Sequence, residues 1–187
     1  MTETIISILL GFGLAASAGF RVFVPLFALS LATYLGYVPI GDSFTWIGGI
    51  PVLICLGVAT LAEIFAYYIP FVDNLLDTIS IPLATVAGSV VMASTMIDLD
   101  PMVTWTLAII AGGGTAATIT TSTAAARATS TVSTGGLGNN LVSSTETATA
   151  SFVSVLAIFT PIVAFVVVLL IIFVGIKIFK KVFLSKK

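Results

Sequence analysis

The 187-residue chain is 58% hydrophobic and only 8% charged, with a net charge of −1 and a mean hydropathy of +1.21. A soluble domain carries roughly 25% charged residues, so there is too little charge here to coat a water-facing surface. Composition therefore excludes an ordinary soluble domain and predicts a single integral membrane domain over residues 1–187.

The charge is unevenly placed. Residues 1–176 hold eight acids and two arginines, a net of −6, and the tail adds Lys177, Lys180, Lys181, Lys186 and Lys187. Lysines flanking a membrane helix mark the cytoplasmic side, which predicts a cytoplasmic tail over 177–187 touching anionic lipid headgroups. The Met-Thr-Glu start lacks a basic segment of the secretory-signal kind, so the first apolar stretch is expected to stay in the protein. Histidine is absent and Cys55 is the only cysteine, which leaves no zinc or haem ligand set and no internal disulfide. The acid excess before the tail argues against a nucleic-acid partner.

In chain order, the first apolar run, residues 5–38, is too long for one upright span, since a bilayer core needs about 20 helical residues. It contains Gly19, Arg21 and Pro25, which predict a kink or break near Arg21. A second run, 46–68, ends in Tyr67-Tyr68, which suits an interfacial aromatic belt. Residues 70–82 read as a short amphipathic or re-entrant segment with Asp73 and Asp77 on one face, and Pro82 as the start of a third run to about Ile97. A fourth run begins at Met102 and turns rich in Thr, Ser, Ala and Gly after Ala111. Small residues let membrane helices approach closely, so a buried central helix over 102–133 is expected rather than a linker. Thr134-Gly135-Gly136-Leu137-Gly138-Asn139-Asn140 is the clearest break. The last run, 151–178, carries Pro161 as an expected kink. The fold class is thus all-α and polytopic, with about five spans, kinked or broken helices and one short re-entrant or interfacial segment.

Residues 73–78 (DNLLDT) echo residues 139–144 (NNLVSS), and transporter folds often carry such repeats at broken helices. Gly19 to Leu26, Ala62-Glu63, Ile69 to Asp77, Pro82 to Gly88 and Thr134 to Asn139 together resemble a family of small bacterial integral membrane proteins known only as a domain of unknown function. The resemblance covers most of residues 8–165. It implies a shared fold and singles out residues; it implies no activity.

Charges inside apolar sequence are costly and tend to be functional or paired. Arg21, Arg127, Glu63, Asp73, Asp77 and Glu146 are the candidates, with Asn74, Asn139 and Asn140 as neutral ligands or helix caps. In one reading the arginines pair with the acids and lock the helices together. In another, an arginine fork keeps donors free for phosphate or carboxylate. In a third, Glu63 and Glu146 relay protons. The expected function is a small transporter or channel for an anionic solute or lipid headgroup, the alternative being a non-transporting structural or assembly protein. No catalytic residue, metal or cofactor is expected, the partners are membrane lipids, and self-association stays open.

Overall fold

The computed structural model describes residues 2–69 and 72–183, and for Asn74 and residues 178–183 the backbone alone. Every regular element among them is helical: α1 (Thr2–Ala18), α2 (Phe23–Tyr34), a 3-10 helix (Asp42–Gly48), α3 (Ile50–Ala66), α4 (Val72–Thr95), α5 (Pro101–Leu107), a π-helical segment (Ala108–Gly113), α6 (Gly114–Thr134), α7 (Asn139–Phe159) and α8 (Pro161–Phe183). Helices satisfy their backbone groups internally, which a chain in hydrocarbon must do.

Neighbouring side chains set the directions. Gly11 lies against Met92 and Thr95 while Ala18 packs with Ala84 and Ala87, and Gly13 lies against Ala157 while Ser17 bonds Ala150 and Ser154, so α1 is antiparallel to α4 and α7. Phe12 stacks edge-on against Phe165 and Ala16 packs with Val168, so α8 runs parallel to α1. The other direction holds for α2. Val22 packs with Ala84 and Ala87, Leu29 packs with Val91, and Gly41 N–H bonds the Ser94 carbonyl. The two short helices α1 and α2 therefore enter and leave at the same end of the bundle and form a re-entrant hairpin with its tip at residues 19–22. The expected break near Arg21 is present, as a reversal of direction.

Pro25 lies in the first turn of α2, where its missing N–H is harmless, and is not the cause of a kink. Around the hairpin, α3, α4, the continuous α5–π–α6 rod, α7 and α8 run alternately between the two ends. By length and composition, Leu75–Thr95, Pro101–Thr134 and Asn139–Phe159 can each cross a membrane, as can the 3-10 helix with α3, bent by 63°, if taken as one span; α1, α2 and Pro161–Lys177 are shorter. Tyr34, Tyr37, Trp46 and Trp105 are exposed at the hairpin's open end, where Tyr37 meets Phe159, as an interfacial belt would require.

Three expectations are corrected. Residues 72–82 are not a separate re-entrant segment, because α4 continues through an exposed Pro82; Pro70 and Phe71 lie outside the described residues. The run 151–178 is not one kinked helix: Thr160 is non-helical (φ −142°, ψ 68°), so α7 ends there and α8 starts at Pro161. The Thr-rich stretch is helical but buried along one side only. Ala116, Ile119, Thr120 and Arg127 face inward, while Thr118, Thr121, Ser122 and Thr129 are exposed and donate to their own i−4 carbonyls. Hydroxyls satisfied this way need no neighbouring helix.

Small residues matter where the core is tightest. A Cβ on Gly88 would sit 2.8 Å from the Ala116 Cβ, and one on Gly112 would sit 2.7 Å from the Gly88 carbonyl oxygen. These contacts bring α4 and the π segment together at backbone distance. Gly135, at φ 63°, adopts the left-handed conformation that ends α6.

Candidate functional site

The hairpin tip creates a local problem. Residues 19–22 leave the helical pattern in the protein interior, where unpaired backbone groups are expensive. Gly19, Phe20 and Arg21 N–H groups bond back to Ala16 and Ser17. The next two, on Val22 and Phe23, donate to the two oxygens of Glu63, at 2.8 and 3.0 Å. The Gly19 carbonyl accepts from Thr120 Oγ1 at 2.9 Å. Glu63, from the last turn of α3, thus caps α2 across space, and its negative charge lies at that helix's N-terminus. Among the described residues no ion pair joins Glu63 to either arginine; its partners are amides.

Arg21 projects from the tip and is 1% exposed. Its Nε donates to Thr147 Oγ1 at 3.0 Å and its Nη2 to the Ser143 carbonyl at 3.0 Å. Nη2 also lies 3.5 Å from Glu146 Oε2. All these partners belong to α7. The guanidinium carbon stands 3.9 Å from the centre of the Tyr67 ring, a favourable cation–π distance. Nη1 is buried and has no hydrogen-bond partner.

Arg127, two thirds of the way along α6, is held differently. Asp77 of α4 takes it in a two-point grip, with Nε to Oδ2 at 3.1 Å and Nη2 to Oδ1 at 2.6 Å. Its Nη1 donates to Glu146 Oε2, the same oxygen that faces Arg21. The Tyr67 ring lies 4.6 Å from its guanidinium carbon. A single carboxylate oxygen therefore faces both arginines, while Oε1 of Glu146 is buried and unpartnered.

The echoed motifs meet beside this cluster. Asn139 Nδ2 donates to Asp73 Oδ2 at 3.1 Å and to Thr131 Oγ1 at 2.9 Å, tying the starts of α7 and α4 to the end of α6. Asp73 and Asp77 share a face as their spacing predicts; Asp77 bonds Arg127 and Asp73 accepts from Asn139. Asn140 is exposed and lies outside the cluster. The Asn74 side chain lies outside the described residues.

Tyr67, Ser143 and Thr147 were not singled out by sequence. Tyr67 reads there as an interfacial aromatic, but it is 5% exposed and packed against both guanidiniums. Its position four residues after Glu63, on the same helical face, is the signal that points to it. Beside it, an apolar crevice of about 300 Å³ opens between α2, α3 and α4, lined by Phe23, Ala59, Ala62, Leu76, Ile79 and Leu83 and reaching Glu63 and Tyr67. The cluster sits toward one end of the bundle. Arg127 is seven residues from the end of α6 and Glu146 seven from the start of α7, about 10 Å of helix in each case.

Residues 8–181 match a family model whose description is Domain of unknown function (DUF4126). No curated protein and no solved structure matches the chain.

Proposed function

We propose, on the premise that the chain belongs to the DUF4126 family, that it is a small membrane transporter or channel which engages an anionic solute or lipid headgroup at Arg21. The observation that carries this is the placement of Arg21. It stands at the tip of a re-entrant hairpin, with Nη1 buried and unpartnered. Broken or re-entrant helices meeting inside the bilayer are a recurrent way of building a solute site, and a guanidinium with a free N–H matches phosphate or carboxylate oxygens. The apolar crevice beside Tyr67 supports access from the lipid side. With the basic tail cytoplasmic, in a bacterial inner membrane, the hairpin enters from the outer face and presents Arg21 toward the cytoplasmic half.

The competing role is structural, and the two-point Arg127–Asp77 pair favours it for Arg127. The roles separate on Arg21→Gln. In reconstituted vesicles, this variant should still fold, at a lowered melting temperature because a buried pair is broken, and lose both radiolabelled phosphate efflux and transbilayer movement of fluorescent phosphatidylglycerol, whichever of the two the wild type supports. A folded variant with unchanged flux refutes the anion role. Failure of both Arg21→Gln and Arg127→Gln to fold establishes a structural one.

A further inference from the structure

We infer that Glu146 is a built-in competitor that occupies the two-arginine site, and that its protonation exchanges it for the phosphate group of the substrate, coupling one proton to each anion bound. This rests on the anion role of Arg21 proposed above. Glu146 Oε2 stands where a bound anion's oxygen would, facing Arg21 Nη2 and Arg127 Nη1 together. Removing that charge does not dismantle the site. Arg127 keeps both contacts to Asp77, and Arg21 keeps Thr147 and the Ser143 carbonyl. Arg21 Nη2 and Arg127 Nη1 are then left facing the position that Oε2 held, and Arg21 Nη1, buried and already without a hydrogen-bond partner, is a further donor on the same guanidinium. The unpartnered Oε1 marks Glu146 as a poorly satisfied occupant, since a buried carboxylate oxygen ordinarily accepts at least one hydrogen bond.

The groups facing Glu146 come from every side. They are Arg21 at the hairpin tip, Arg127 on α6 and Asp77 on α4; Tyr67, just past α3, packs on both guanidiniums, and Glu63 binds the tip amides. The balance is simple: the Glu146 carboxylate takes one proton from water, the neutral acid turns away from the arginines, and one negative charge enters in its place. Net charge in the cluster is unchanged, so the apolar surroundings bear no new unpaired ion.

The test measures binding of two probes to purified protein across pH: inorganic phosphate to protein in detergent, with affinity expressed per concentration of the monoanion because phosphate itself titrates near neutral pH, and phosphatidylglycerol retained by protein taken from mixed vesicles and observed by native mass spectrometry. Wild-type affinity for the true source should rise as pH falls, up to tenfold per pH unit, because binding takes up a proton. Glu146→Gln should bind with pH-independent affinity, at least as tightly as the wild type at the lowest pH. Glu146→Asp retains a titratable group and should retain the pH slope; it also covers the case in which the amide variant does not fold. Phosphate binding alone identifies a free anion as the ligand, and phosphatidylglycerol alone identifies a headgroup. PH-dependent binding that persists unchanged in Glu146→Gln, or weaker binding by that variant, overturns the competitor role while leaving Arg21 as an anion site. Loss of the underlying anion role shows differently: neither probe binds any of the folded proteins, or Arg21→Gln binds as well as the wild type.

Discussion

Replacing Glu63 with alanine isolates what holds the hairpin tip. The carboxylate accepts from Val22 N–H and Phe23 N–H, and the residue is 9% exposed, so water does not replace it readily. Each buried donor left unpaired costs about 1–3 kcal/mol; two predict a loss of about 2–6 kcal/mol. Against a typical total of about 5–15 kcal/mol this is a large fraction. At about 2–4 °C per kcal/mol for a chain of this size, the melting temperature should fall by about 4–24 °C. Glu63→Gln should fall about half as far, because its amide keeps one acceptor and turns an N–H toward the other donor. The assay is thermal unfolding of the detergent-purified protein, followed by circular dichroism. Melting of Glu63→Ala within about 2 °C of the wild type would show that the tip is held by packing alone and that Glu63 is free for another task.

Two further perturbations probe the same core from other sides. Asp77→Ala strips Arg127 of its two-point partner and should destabilise by about 3–5 kcal/mol, the usual cost of breaking a buried pair, read by the same melts. Gly19→Ala would place a Cβ 2.6 Å from the Ile119 Cβ and 2.8 Å from the Ala116 carbonyl oxygen, forcing the tip off α6 at about 1–3 kcal/mol. Gly114→Ala meets nothing within 4 Å and should instead stabilise α6 by up to about 1 kcal/mol. Equal melting of the two alanine variants would contradict the packing described at the tip.

The all-helical character and the turn at Gly135 were legible because each has a local cause, hydropathy and left-handed backbone; the break near Arg21 was expected from Pro25, which instead sits harmlessly in the first turn of α2. The reversal at the tip was not legible. No polar turn marks residues 19–22, since the groups that satisfy that backbone are supplied by Glu63 and Thr120, distant in sequence. Pro82 misled for a related reason. Its local effect is to interrupt a helix, but on an exposed face of α4 the surrounding bundle carries the helix through. Of the charged residues, the candidates Arg21, Arg127, Asp77 and Glu146 do converge. Their assignment to partners depends on how α6 and α7 cross the tip, which spacing along the chain does not encode. Tyr67 was misread because an aromatic at a segment end has the same sequence signature whether it faces headgroups or a buried guanidinium.

The hairpin also has a consequence for how the molecule is made. Arg21 bonds Thr147, 126 residues away, and the tip's other anchors lie on α3 and α6. During synthesis the hairpin emerges before the parts of its socket on α3, α6 and α7. For most of translation the arginine has no carboxylate of α7 to meet, and the bilayer interior offers no substitute. The tip is therefore expected to wait at the water interface until α7 is in place. Seating of α1 and α2 becomes the closing step of assembly, and a chain stalled before residue 147 should hold its N-terminal hairpin outside the hydrocarbon.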